Sequence, residues 1–290
     1  MSIFRFRKFS VDSGECAMKV GTDAVILGAA VTLPSMGNAV QASTDAPYFA
    51  GNSPSFSPAE ALPAHRRIQV LDAGCGSGVI GLMIAQRLEA AGFREYDVTG
   101  VEIDGLAAEQ AGRNFAASPW SWHLKCLNVS MLGFTPETSC DLIVSNPPYY
   151  DDSLLPPDSR RSTARHTGGE AFGYPQLLDF ASSHLRTGGN LALILPHQEL
   201  TRLLRLAASY GLRATRLLHV RTTPSKEPSR LVAEFTPDAG HGNAISSHET
   251  GPSEEYLTIQ DASRFPQNKN SWTDEYLALT GEFYLSSAHT

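Results

Sequence analysis

Apolar and polar positions along this 290-residue chain alternate between two periods. Short, nearly continuous apolar runs predict buried strands at 68–72, 97–102, 123–127, 141–145 and 190–195. Stretches with apolar residues three and four apart predict helices at 79–91, 105–117, 175–186 and 197–210. Two further strands fall near 214–220 and 230–236, joined through Pro224–Pro228. An earlier helical pattern opens at Gly21-Thr22-Asp23, with Thr22 as candidate cap, and closes over Gly28–Val31. Continuous apolar strands alternating with amphipathic helices imply an α/β fold with a mostly parallel sheet covered on both faces. Residues 34–65, rich in Pro, Ser, Ala, Gly and Asn, have no period and read as a flexible insertion. A second low-order stretch covers 238–273. The expected organisation is one decorated domain: segment 1–33, insertion 34–65, core 66–237 and extension 238–290.

Composition narrows the class. No apolar run approaches the roughly 18 residues needed to cross a membrane, and the N-terminus lacks the apolar stretch of a signal peptide. The four cysteines show neither C-x-x-C pairing nor metal-ligand spacing, so they read as reduced thiols of a cytoplasmic protein without a metal. The net charge of −7 is unevenly spread. From Asp238 onward eight acids face only Arg264 and Lys269, whereas Arg202, Arg205, Arg213, Arg216, Arg221, Lys226 and Arg230 face only Glu227. A small basic group (Arg5, Arg7, Lys8) opens the chain, and Arg160, Arg161 and Arg165 follow the strand at 141–145. Such a bipolar chain can offer a basic face to a polyanion.

The chemistry is concentrated in two places. The strand Asp141–Ser145 runs into Asn146-Pro147-Pro148-Tyr149, followed by Tyr150. A planar amino or amide nitrogen is a poor nucleophile because its lone pair is delocalised. The side-chain oxygen of Asn146 and the carbonyl of Pro147 can accept its two N–H bonds, which orients it and favours charge developing on nitrogen. Tyr149 offers a ring for stacking. The second place is Asp72-Ala-Gly74-Cys-Gly76-Ser-Gly78, a glycine turn between a buried strand and a helix N-terminus. The next strand ends in Glu102, at the spacing expected for gripping ribose hydroxyls. Here the third glycine follows the second by two positions, unlike the G-x-G-x-x-G of dinucleotide binding.

The pattern D-x-G-x-G-x-G, with Val101-Glu102 closing the next strand, resembles the class I S-adenosylmethionine-dependent methyltransferases. That resemblance implies a Rossmann-like fold with a seven-stranded, mostly parallel sheet, helices on both faces and an antiparallel edge hairpin. It also implies S-adenosyl-L-methionine as cofactor, with Asp72, Gly74, Gly76 and Gly78 around the methionine part and Glu102 on the ribose. Asn128 lies where family members contact adenine.

With N-P-P-Y the methyl acceptor remains open among adenine N6, a protein glutamine amide and guanine N2. A wider set of residues bears on this: Phe4-x-Phe-x-Lys-Phe9, Cys16–Asp23, Ser145–Tyr150, Ala164-Arg-His166 and Glu275-Tyr-x-x-Leu-x-x-x-Phe-Tyr-Leu285. Together they closely resemble the bacterial tRNA1(Val) (adenine(37)-N6)-methyltransferase family, over nearly the whole chain. The insertion at 34–65 and the longer tail depart from that family's compact pattern without interrupting a motif. The resemblance implies a valine tRNA as partner and methylation of N6 on the adenosine just 3′ of its anticodon, an unpaired base that can splay into a pocket. It gives Asn146 and Pro147 the amino group, Tyr149 the base, and Pro148 and Tyr150 further substrate contacts. The Thr22-Asp23 turn would cover the methionine end of the cofactor, and Lys19, Arg161 and Arg165 would meet phosphates. The alternative on the same motif is a glutamine N5-methyltransferase acting on a release factor, which usually carries a separate helical N-terminal domain. The sequence is silent on oligomeric state.

Overall fold

The structure, a computed structural model, describes residues 2–35, 66–147, 173–238, 251–261, 263 and 271–285. A hairpin of β1 (Ile3–Arg5) and β2 (Ser10–Asp12) leads into α1 (Thr22–Ala30). The core then runs β3 (Ile68–Ala73), α2 (Val79–Ala90), β4 (Tyr96–Glu102), α3 (Gly105–Ala116), β5 (Leu124–Asn128) and β6 (Cys140–Ser145). It continues with α4 (Tyr174–His184), β7 (Leu185–Pro196), a 3-10 turn, α5 (Leu200–Ser209), β8 (Leu212–Arg221) and β9 (Arg230–Pro237). After that come β10 (Ser253–Thr258) and α6 (Asp274–Thr280).

The main sheet has the order β10-β8-β9-β7-β6-β3-β4-β5. Only β9 is antiparallel to its neighbours. The expected α/β architecture holds, with two corrections. The sheet has eight strands rather than seven, and the β8–β9 hairpin is not its edge, because β10 pairs parallel with the outer side of β8 and satisfies an otherwise open row of backbone groups. Both faces are covered. Phe115, Leu82, Met83 and Ile26 pack one face under α1, α2 and α3, and Leu177, Leu178, Leu203 and Ala207 pack the other under α4 and α5.

Helix starts follow local chemistry. Thr22 does not cap α1: Gly21 is the N-cap, without a side-chain bond, and Thr22 is already helical. For α2 the cap comes from the preceding strand, where Asp72 Oδ2 accepts from Gly81 N at 3.0 Å. Asp104 caps α3 by accepting from Ala107 N, and Thr273 caps α6 by accepting from Tyr276 N.

Two ionic clusters brace the sheet edge remote from the glycine turn. The buried Asp141 joins Arg66 and Arg186 and accepts from Gln69 N at 2.9 Å, tying the start of β6 to β3 and β7. Glu234 on β9 accepts from Arg216, Asn190 and Thr32 N, while Arg216 also donates to Ala30 O at 2.8 Å. These bonds fix the end of α1 against β8 and β9. The start of α1 is thereby set at the opposite edge, where Asp23 Oδ2 accepts from Arg230 Nε at 2.8 Å.

Candidate active site

The glycine turn lies where β3 ends against β4. Gly74 N and Cys75 N donate to Val101 O at 2.9 and 3.1 Å. Gly74, Gly76 and Gly78 have φ of 71°, 54° and 77°, a region that L side chains rarely adopt. Their surroundings differ. A Cβ at Gly78 would meet the Phe115 ring at 2.4 Å, whereas one at Gly74 or Gly76 would meet nothing within 4 Å. Gly78 serves packing; Gly74 and Gly76 leave a bare backbone cradle open for a ligand.

Acids surround the cradle. Glu102, at the end of β4, accepts from Gly76 N through Oε2 and from Asp104 N through Oε1, both at 2.9 Å. Asp72 is fully buried beneath, and its Oδ1 has no hydrogen-bond partner among the described residues. Burial pushes the Asp72 carboxyl up to about 7; the Gly81 N–H opposes this and the charge of Glu102 adds to it. Asn128 Nδ2 donates to Glu102 O and Ile103 O at 2.9 and 3.1 Å, so it fixes the backbone that carries Glu102. Ile103 and Leu106, each about half exposed at 51% and 52%, bring apolar surface to this acidic corner. The sequence reading passed over Ile103; its signal is an apolar residue set between two acids where the strand leaves the core.

The N-terminal segment reaches the same corner. Asn114 on α3 accepts from Asp12 N at 3.0 Å and donates to Asp12 O and to Ser77 O of the glycine turn, both at 2.8 Å. Cys16 is buried, which pushes its thiol up to about 11, and the charge of Glu102 contributes. Lys19 Nζ donates to Ser13 O, Gly14 O and Cys16 O at 2.6, 3.1 and 3.3 Å. Lys19 thus clamps the loop before α1 and spends its three donors there. Cys75 faces Cys126 with sulfurs 3.6 Å apart; that contact and burial raise the Cys75 pKa well above the usual thiol value, in keeping with an inert thiol.

Asn146 follows β6, half-buried, and Pro147 is buried beside it. Val144 is in register with Asp72, so continuing two places sets Asn146 level with Gly74 on the neighbouring strand. Ser145 Oγ donates to Ala73 O at 2.7 Å and locks the two strand ends together, a link the sequence reading did not identify. The cradle and the amide-bearing turn are therefore adjacent at the carboxyl ends of parallel strands, where α/β proteins bind ligands. Pro148, Tyr149, Tyr150, Arg161 and Arg165 lie outside the described residues.

Residues 58–211 match the family model of the methyltransferase small domain. A relative from Porphyromonas gingivalis, named tRNA1(Val) (adenine(37)-N6)-methyltransferase, is 37% identical over 98% of this chain and 96% of its own. The chain belongs to this methyltransferase family. A relative of the same name from Photobacterium profundum is 32% identical over 97% of this chain and 98% of its own. Among solved structures, a predicted O-methyltransferase from Agrobacterium tumefaciens matches 90% of this chain and 96% of its own at a TM-score of 0.56 and 16% identity, a likeness of fold. The family resemblance drawn from Cys16–Asp23, Ser145–Tyr150 and the C-terminal motif is thus confirmed.

Proposed function

We infer that this protein transfers a methyl group from S-adenosylmethionine to N6 of an adenosine in tRNA, at position 37 of tRNA1(Val) as its relatives are named. The observation that carries the reading is the placement of Asn146 level with the open Gly74–Gly76 cradle. The cofactor fits this chain: Gly74 and Gly76 leave room at their Cα positions, Asp72 Oδ1 is a buried acceptor without a partner among the described residues, and Glu102 presents a carboxylate at the strand end. When bound, it supplies an electrophilic methyl on a sulfonium.

The residues then divide the work. Asp72 and the glycine turn take the methionine part, Glu102 the ribose diol, and Asn128 with Ile103 the adenine end. Thr22 and Asp23 close the methionine side, with Asp23 anchored by Arg230. Asn146 Oδ1 and the Pro147 carbonyl accept the two N–H bonds of the target amine, and Tyr149 stacks on its ring. Stacking of this kind is worth about 1–3 kcal/mol. A strong base is not required, because the amine sheds its proton to solvent late in or after attack. Pro148 and Tyr150 border the base, and Arg161 and Arg165 meet phosphates. Lys19 reaches phosphate only as a nearby charge, its donors being spent on carbonyls.

The test uses labelled S-adenosylmethionine with unmodified tRNA or with release factor, followed by digestion and identification of the labelled product. N6-methyladenosine from tRNA is the expected outcome; label in protein glutamine overturns the acceptor. Asn146→Ala should lower turnover by about 10²-fold or more while cofactor affinity stays within about twofold. Cofactor binding lost along with turnover would make Asn146 structural.

A further inference from the structure

Beyond the cradle and Asn146, the same edge of the sheet carries an unassigned aromatic group. Strands β6, β7, β8 and β10 run parallel, so their carboxyl ends share one rim. His197 follows β7 directly. Its Nε2 shares a hydrogen bond with His219 Nδ1 on β8 at 2.9 Å. Tyr256 on β10, in register with His219, stacks on that imidazole with ring centres 4.8 Å apart and planes 19° apart. His219 is buried, which holds its pKa below the usual imidazole value, with the neighbouring His197 acting in the same direction. Tyr256, by contrast, is 61% exposed. One face of its ring is fixed on a buried neutral heterocycle while much of the remainder meets solvent.

Toward the rim lie two cations, the nearer level with Thr258, two places past Tyr256. Arg221 ends β8, two residues beyond His219 on the same face. It donates through Nε to Thr258 Oγ1 at 2.8 Å, and its Nη groups take no hydrogen bond among the described residues. Lys226 is exposed in the turn between β8 and β9. On the other side Glu254 lies 3.6 Å from His219 Nε2. A carboxylate there disfavours a phosphate over the ring and can accept from the amino group of a base. The arrangement suits a flat, neutral group on Tyr256 with anionic groups at Arg221 and Lys226, which describes single-stranded RNA.

We propose that Tyr256, backed by His219 and flanked by Arg221, is a stacking platform for an unpaired nucleotide of the RNA substrate, separate from the nucleotide that is methylated. Four strand steps separate β6 from β10, about 19 Å at the usual strand spacing. The platform is therefore too far from Asn146 to hold the target base and well placed to hold another base of the same loop. It rests on the tRNA reading above.

The experiment measures steady-state tRNA methylation by the wild type and by Tyr256→Ala, Tyr256→Leu and Tyr256→Phe. Loss of one stacked base at about 1–3 kcal/mol corresponds to an increase of about 5- to 150-fold in KM for tRNA. This is expected for the Ala and Leu variants, with kcat, cofactor KM and thermal midpoint unchanged. Leu keeps apolar cover over His219, so it guards against misfolding of the Ala variant. Phe should remain within about threefold of wild type. If the wild type methylates tRNA and Ala and Leu leave its KM unchanged, the platform is refuted while the proposed function stands. A change in sedimentation with the Ala variant at constant KM would assign the ring to a protein contact and also refute it. If the wild type does not methylate tRNA, the function falls. Binding of a labelled single-stranded oligoribonucleotide then decides the platform alone: weaker binding by Ala and Leu supports it, and equal binding ends it.

Discussion

Asp72 shows how one residue can serve the helix, the cradle and the pH response together. It is fully buried, caps α2 through Gly81 N, and leaves Oδ1 without a partner among the described residues. Burial raises its carboxyl from 3.8 to about 7. The folded state therefore holds a proton that the unfolded chain has already released between these values, so stability falls as pH rises from about 4 to about 7 and is flat above. Asp72→Asn keeps the shape and cannot ionise. The free energy of unfolding of the wild type, relative to this variant, should drop by up to about 4 kcal/mol across that window. Urea titrations of both proteins at pH 5, 6, 7 and 8 check it, and parallel pH profiles would show Asp72 ionised without penalty. The position of Asp72 beneath the glycine turn was legible in the sequence because strand, acid and glycines are contiguous. Ser145 and Asn114 were not, since their partners are 72, 102 and 37 positions away.

Among the elements, the N-terminal segment is tied to the glycine turn through Asn114. Asn114 is the pin between β2, α3 and the glycine turn, with one acceptor and two donor bonds in a buried setting. Asn114→Ala should destabilise the fold by about 1–3 kcal/mol, since it strands Asp12 N and the carbonyls of Asp12 and Ser77. Because Ser77 belongs to the turn, cofactor affinity should fall in the same variant. Calorimetric titration against thermal unfolding separates the two effects, and a stability loss with unchanged affinity would show that the pin does not hold the turn. The long core elements were readable because a period of two or 3.6 extends over enough residues to register. The β1–β2 hairpin was not, because three-residue strands are too short to show a period. Strand β10 was missed because Ser253-Glu254-Glu255-Tyr256 is exposed and only Leu257 and Thr258 are buried. Its pairing with β8 is backbone bonding that side-chain pattern does not encode.

For the whole molecule the question is how a chain of net charge −7 would engage the tRNA proposed as its substrate. The run of cations from Arg202 to Arg230 looked in sequence like one basic face, and the fold divides it. Arg216 turns inward to Glu234 and Glu255, Arg230 holds Asp23, and Arg202 pairs with Glu199. Arg213 begins β8, at the edge opposite Asn146. Such pairings depend on partners up to 207 residues away, so charge counting along the chain overstated the basic face. What remains at the rim among the described residues is Arg221 and Lys226; Arg161 and Arg165, proposed above as phosphate contacts, lie outside them. Each contact to single-stranded phosphate contributes about 0.7 to the slope of log affinity against log salt. Three to five contacts in all would give a slope of about −2 to −4. KM for tRNA measured between 50 and 200 mM salt, roughly, should follow it. Arg221→Gln combined with Lys226→Gln should make the slope shallower by about 1.4 and leave cofactor KM unchanged. A slope near zero in the wild type would place the affinity in contacts other than phosphate and favour a protein acceptor. An unaltered slope in the double variant would instead move the phosphate track away from β8 and onto the far side of Asn146.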